Sequence, residues 1–374
     1  MAGIYIHIPF CKQRCTYCDF HFSTSFSGYK DQMISSLGTE LALRKGYLEN
    51  ETINTVYFGG GTPSLLDFEE FQVLFNAIKA HFTLSPEAEF CLEANPDDIN
   101  ADSLLAWKKL GFNRLSIGLQ SFRESDLKWM NRAHNSKEAL ACVPLAKSHG
   151  FDAISIDLIY GLPNLDLETW REQIKIAVGL GVEHISAYCL TVEEKTVLAK
   201  KVESGAIIPS NENEQSDQFN LLVEELSLSG FERYEISNFC RDKKYSKHNT
   251  AYWKGTPYLG IGPSAHSFDG NNRAFNIANN SKYIKEITSG NLPLTHDVLA
   301  PKDRFNELLM TGLRTKWGVS IEQLKAHLPL GPEFLQKTDE FIEKGWVIRN
   351  DEHLFLQGEG WLMADYIAAE LFSE

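Results

Sequence analysis

The sequence predicts an α/β fold, six β-then-α units curving into an open, partial barrel with extra strands, followed by a small helical, winged-helix-like part at the C-terminal end. Three observations carry this expectation. Short apolar runs recur along the chain, each followed by a stretch with apolar residues at helical spacing. Glycines stand just past three of those stretches, where a left-handed residue ends a helix at little cost. Near residue 301 the strand–helix alternation gives way to consecutive helices. A length of 374 residues suits one large α/β domain plus an appendage.

The predicted strands are residues 3–8, 55–58, 89–94, 114–119, 153–159 and 184–190. The predicted helices are 29–46, 68–81, 101–110, 137–148 and 167–180, with Gly111, Gly150 and Gly181 as stops. Repeated β–α–β units imply parallel strands with right-handed crossovers. Six units fall two short of a closed eight-fold barrel, so an open barrel is preferred to the competing doubly wound sheet. Residues 204–217 read as a polar loop, 218–229 as a helix and 234–239 as another apolar strand. Further on, residues 304–313 place Phe305, Leu308, Leu309 and Leu313 on one helical face. Ser320 with Gln323 has capping-box spacing. Residues 334–344 read as a helix, 346–349 and 355–357 as a hairpin, and 360–372 as a last helix. The expected division is 1–240, the barrel; 241–300, a connecting segment; and 301–374, the C-terminal helical domain.

The chain carries 36 Lys and Arg against 50 Asp and Glu, a formal charge of −14, which argues against general affinity for nucleic acid or an anionic membrane. Residues 301–374 hold 8 basic and 13 acidic side chains, so DNA binding by the winged-helix-like part is disfavoured. No run of ~18 apolar residues marks a transmembrane helix. The N-terminal residues lack a basic-then-apolar export signal. Seven cysteines, an odd number, do not make a secreted disulfide framework. A cytoplasmic protein is expected.

The strongest chemical pattern is Cys11-Lys-Gln-Arg-Cys15-Thr-Tyr-Cys18, directly after the first predicted strand. Three thiolates this close can wrap one small object. Zinc wants four ligands, usually in two separated pairs, and here would need His7 or His21 to complete its shell. A four-iron cluster ordinarily takes four cysteines; three leave one iron with open positions, where a substrate or cofactor can chelate. Cys91, Cys142, Cys189 and Cys240 are scattered singly and read as small apolar residues. Gly59-Gly60-Gly61-Thr62-Pro63 follows the second strand; its glycines admit close approach of a ligand, and it lacks the Lys-Ser/Thr of a phosphate loop. Glu93 and Gln120 close the third and fourth strands, and Asp157 lies within the fifth. Ligands of parallel sheets and barrels bind at the carboxyl ends of the strands, so these side chains converge. Arg132 is suited to bidentate pairing with a carboxylate.

With a strand, then C-x3-C-x2-C and Tyr17 before the third cysteine, the chain resembles the radical S-adenosylmethionine (SAM) enzymes. The resemblance implies a (βα)6 partial barrel, a 4Fe-4S cluster on Cys11, Cys15 and Cys18, and SAM chelated to the remaining iron and cleaved to a 5′-deoxyadenosyl radical. From residue 3 to about 371 the chain is similar to the oxygen-independent coproporphyrinogen III oxidase branch. That similarity implies SAM contacts from Tyr5, Gly61, Thr62, Glu93, Gln120, Arg132 and Asp157.

The oxidases of that branch carry a fourth cysteine two residues after the third, where this chain has Phe20. Residues 5–11 and 17–20, the segment His248-Asn249-Thr250-Ala251-Tyr252-Trp253 and the following 260–267 are instead similar to the heme chaperone HemW family. This implies heme binding at that segment, with His248 the candidate axial ligand and His266 a second. Tyr252 and Trp253 would offer flat faces, and Arg241, Lys243, Lys244 and Lys247 would face the propionates. The expected function is a radical-SAM-fold heme chaperone that holds a 4Fe-4S cluster, SAM and heme, and delivers heme to acceptor proteins of the respiratory hemoprotein kind. The alternative is a coproporphyrinogen III oxidase that decarboxylates propionate side chains; whether the chain is an enzyme stays open at this stage. A zinc-stabilised scaffold is the third reading.

Overall fold

The structure, a computed structural model, describes residues 1–373. Strand β1 (Ala2–Ile8) shows the two-residue alternation of a strand: Ile4, Ile6 and Ile8 are fully buried in one apolar cluster with Met33, Leu37 and Leu41, while Tyr5 and His7 take the other face. The chain continues through α1 (Lys30–Leu43), β2 (Ile53–Gly60), α2 (Phe68–His81), β3 (Leu84–Ala94), α3 (Ala101–Leu110), β4 (Arg114–Gln120), α4 (Glu124–Trp129), α5 (Ser136–Ser148), β5 (Ala153–Tyr160), α6 (Leu167–Gly179) and β6 (His184–Cys189). Strands β1 to β6 are parallel and lie side by side in sequence order. A doubly wound sheet reverses its order at a switch point. This one does not, and right-handed crossovers then put all the helices on one face. The open barrel is what forms. Gly111, Gly150 and Gly181 have φ of +110°, +80° and +68°, the left-handed stops expected of them.

Extra strands extend both edges. After α7 (Val197–Glu203) and α8 (Glu212–Leu228) come β7 (Glu232–Arg233) and β8 (Asn238–Cys240); β8 pairs antiparallel with β6, and β7 with β8. On the other side, α9 (Lys247–Trp253) leads to β9 (Tyr258–Ile261), which pairs parallel with β1. Then β10 (His266–Phe268), β11 (Arg273–Asn276), α10 (Asn280–Thr288) and β12 (Leu294–Asp297) complete a twelve-stranded sheet.

Two expectations are corrected here. The polar stretch 204–217 is not all loop: α8 begins at Glu212 because Asn211 and Glu214 form a reciprocal capping box. The run 234–239 is not one strand. It breaks at the buried Glu235, whose carboxylate accepts the Ser237 N–H at 3.2 Å, and Ile236 turns away to pack on the C-terminal core.

That second core lies within α11 (Pro301–Gly312), β13 (Val319–Ser320), α12 (Ile321–His327), α13 (Pro332–Glu343), β14 (Val347–Arg349), β15 (His353–Leu356) and α14 (Ala364–Glu370). Phe305, Leu309, Leu324, Phe341 and Ile367 fill it beneath a small antiparallel sheet ordered β13-β15-β14. Ser320 caps α12 by accepting the Gln323 N–H at 3.3 Å. Predicted helix 360–372 is shorter than expected: a 3₁₀ turn occupies Gly358–Trp361 before α14. Among the described residues no helix is long and apolar enough to cross a membrane.

A buried ionic knot ties α1 to the β9–α10 region. The Glu40 carboxylate, fully buried, accepts from Arg44 Nη1 (3.2 Å), Gly262 N (2.8 Å), Asn276 Nδ2 (2.8 Å) and Tyr283 OH (2.5 Å). Arg44 Nη1 also donates to the Gly260 carbonyl at 2.8 Å.

Candidate cofactor site

The cysteine loop leaves β1 and folds back across the strand ends. Its turns are pinned by Cys11 N to Ser23 O (3.1 Å), Ser23 N to Pro9 O (2.9 Å), Thr16 N to Met130 O (3.0 Å) and Leu198 N to Thr16 O (2.8 Å). Beneath it opens a cavity of about 420 Å³ at the carboxyl ends of the strands. Cys11, Cys15, Cys18, Gly61, Thr62, Glu93, Gln120, Arg132 and Asp157 all line it. Thr62 Oγ1 donates to Cys11 Sγ at 3.5 Å and Arg132 Nη1 to Cys15 Sγ at 3.6 Å. Burial pushes the Cys11 thiol up to about 11 and the Cys18 thiol up to about 12, so a metal bound there would have to displace their protons. The glycines answer a local need: a Cβ on Gly61 would sit 2.5 Å from the Phe10 carbonyl, and Gly60, at φ +110°, faces the His7 ring as closely. They let β2 pass under the cysteine loop.

The polar floor of the cavity is set by strand register. Glu93 pairs with Ser116 on β4, and Asp157 with Gly118 on β4 and Ser186 on β6. Glu93 accepts from Tyr57 OH at 2.7 Å and from Gly60 N at 3.3 Å. Burial raises Glu93 to about 7 and Asp157 to about 6; hydrogen bonding by Tyr57 and by Ser186, respectively, opposes the rise. Two half-buried carboxylates facing one cavity, with no salt-bridge partner among the described residues, suit a cationic ligand. Arg132 donates through Nη2 to Asn95 Oδ1 (2.7 Å) and Gly118 O (2.8 Å), while its buried Nε has no partner. Gln120 ends β4 at φ +66°, a strained geometry that bends the strand end. Three thiols, unpaired carboxylates and a guanidinium around one cavity fit the donor set that a site-differentiated cluster and an amino-acid-bearing sulfonium require.

Tyr5 lies elsewhere. It lines a second cavity of about 270 Å³, deeper in the barrel, whose walls Glu93, Ser116, Asp157 and Tyr188 share with the first. Its hydroxyl hydrogen bonds with His7 Nδ1 at 3.2 Å. His7 and His21, the residues a zinc site would need, are spent otherwise: His7 Nε2 donates to the His21 carbonyl (2.8 Å) and His21 Nε2 meets Asn280 Oδ1 (2.7 Å). Ser116, Tyr57 and Tyr188 were missed in the sequence, where polar residues at alternate strand positions were the available signal.

The structure turns His248, the candidate heme ligand, inward at the start of α9, 3% exposed, into the second cavity. Nδ1 bonds with Thr55 Oγ1 at 2.8 Å and Nε2 with Tyr252 OH at 3.2 Å, the i,i+4 neighbour, so neither nitrogen is free for iron in this conformation. Burial lowers its pKa to about 3. Trp253 faces away from it, toward a third cavity. Three of the four basic residues are engaged: Arg241 holds the Ser229 carbonyl, Lys244 lies 3.7 Å from Glu183, and Lys247 Nζ donates to the Glu87 carbonyl. His266, exposed on β10, stacks on Phe275 with ring centroids 5.3 Å apart.

Two family models match the chain, the radical SAM superfamily over residues 5–177 and the HemN C-terminal domain over residues 299–363. The heme chaperone HemW of Mycobacterium tuberculosis is 33% identical, covering 99% of this chain and 94% of that one. The heme chaperone HemW of Bacillus subtilis is 32% identical over the full length of both. Among solved structures, the coproporphyrinogen III oxidase HemN from Escherichia coli, a radical SAM enzyme, superposes with a TM-score of 0.87 at 22% identity, covering 100% of this chain and 90% of that one, and so shares the fold. Sequence similarity along the whole chain, on this fold and with this cysteine loop, makes the chain a member of the radical SAM superfamily, in the family of the heme chaperones HemW.

Proposed function

We propose that the protein is a heme chaperone: it holds a 4Fe-4S cluster on Cys11, Cys15 and Cys18, binds SAM against Gly61, Thr62, Glu93, Gln120, Arg132 and Asp157, and passes heme to acceptor proteins. Its end-to-end similarity to proteins named heme chaperone carries this reading. When bound, the cluster and SAM supply one-electron chemistry; the chain's part is to position them, exclude water and neutralise charge. Tyr5 supports the pocket from beneath, through the shared wall at Glu93. The rival reading, oxidation of coproporphyrinogen III, rests on the fold shared with HemN. One anaerobic experiment separates them. Reconstituted protein loaded with heme should transfer it to an apo-acceptor and leave coproporphyrinogen III unconverted when SAM is added. Steady formation of protoporphyrinogen IX with SAM consumed, and no heme transfer, would establish the oxidase instead.

The carboxylates give this reading a pH signature. A cationic ligand binds their ionised forms, so SAM affinity should rise as pH climbs through the range from about 6 to about 7 set by Asp157 and Glu93. Glu93→Gln should flatten that rise. Glu93→Ala and Asp157→Ala should each weaken SAM at least about tenfold, the loss of a charged hydrogen bond worth roughly 1.5–3 kcal/mol, with iron content kept. Equilibrium binding at a series of pH values checks both points; unchanged affinity in the two alanine variants would displace the pocket from this site.

A further inference from the structure

A third cavity, about 630 Å³, opens between the β9–β11 side of the sheet and the C-terminal helices. Small-molecule sites span ~300–1,000 Å³. Its walls are aromatic on both sides: Trp253, Tyr258 and Phe268 from the sheet side, Trp317 from the loop after α11. Charge there has one sign in excess. Lys254, Arg273 and Arg304 face a single carboxylate, Glu307, which Arg273 approaches to 2.6 Å and Arg304 to 3.6 Å. Lys254 has no ion-pair partner among the described residues and lies 4.4 Å over the Trp317 ring. Trp253 Nε1 is buried with no acceptor.

His353, on β15, supplies the only imidazole of this lining. Its Nδ1 lies 4.0 Å from Glu352 Oε2, and among the described residues no hydrogen bond engages its ring. At that separation no hydrogen bond fixes the ring, and both of its nitrogens stay open to a ligand. Tyr252 forms part of the wall between this cleft and the inner cavity, its hydroxyl held by His248. The segment 248–253 thus meets the cleft through Tyr252, which His248 holds, and through Trp253.

We propose that this cleft is the heme seat, with His353 as the axial ligand of the iron, the aromatic walls against the macrocycle, and Lys254 and Arg304 toward the two propionates. This rests on the heme-carrier reading above. Flat apolar surface, a cationic surplus of two and one free imidazole match a planar dianionic iron macrocycle, and no other cavity described here combines them.

The test uses the full-length protein titrated with hemin and, separately, with iron-free protoporphyrin IX. His353→Ala should shift the Soret band and weaken hemin at least about tenfold, a loss of about 1.4 kcal/mol, while protoporphyrin IX affinity stays near wild type. Lys254→Glu, an exposed change that leaves the fold alone, should weaken both ligands. His266→Ala should change neither. Wild-type hemin binding with an unaltered spectrum and affinity in His353→Ala and Lys254→Glu would overturn the cleft while leaving the carrier reading intact. Wild-type protein that takes up no hemin would overturn both.

Discussion

Replacing any one of Cys11, Cys15 and Cys18 by alanine is expected to abolish the cluster. Wild-type protein reconstituted without oxygen should hold about four irons and four sulfides per chain, and each variant close to none. The three thiols on one short loop are the proposed ligands; Cys189 lines the same cavity but from the end of β6, while Cys91 and Cys142 are buried in strand and helix. Cys91→Ala should therefore keep full iron content. The broad visible absorption of the cluster and direct iron and sulfide analysis both report the outcome. Stoichiometric zinc without iron in anaerobically prepared protein would remove the cluster assignment and, with it, the basis for placing SAM.

Glu40→Ala should produce a large loss of stability. Four donors converge on this carboxylate, and its removal leaves the buried Arg44 guanidinium without its counter-charge. Breaking a buried pair from one side costs about 3–5 kcal/mol. Glu40→Gln keeps acceptor capacity but loses the charge and should fall between the two. Urea unfolding followed by circular dichroism measures this; a loss below about 1 kcal/mol would mean that the knot behaves like a surface ion pair.

The βα rhythm was legible because each unit obeys a local rule. Apolar runs become strands, helical spacing becomes α2 and α3 to the residue, and glycines at 111, 150 and 181 end the units as expected. That the cysteine loop and the strand-end residues line one cavity was legible for the same reason, since strand ends and the loop after β1 must meet in a parallel sheet. Long-range closure was not. Strands β9 to β12 are three or four residues long, too short to show a period, and only pairing with β1 and with one another defines them. Glu40 looks like any helical glutamate until Gly262, Asn276 and Tyr283 arrive from far along the chain. The direction of the His248 ring was not legible, because a motif fixes residue identity and not ring direction; a helical start at Lys247 sends the ring to Thr55. His353 carried no signal at all, being one polar residue in a hairpin.

The place of β1 between β2 and β9 bears on how the protein is made. During synthesis β1 can find β2 early, but its other edge stays open until residues 258–261 have been made. Until then the cysteine loop hangs from a strand held on one side only, and the knot at Glu40 has none of its distant partners. Domains fold as units during synthesis and unpaired strand edges are sticky meanwhile. The proposed cluster would therefore meet a β1 paired on both edges only after about two thirds of the 374 residues have been made, which would place metal insertion late in synthesis and leave β1 the strand most in need of protection until then.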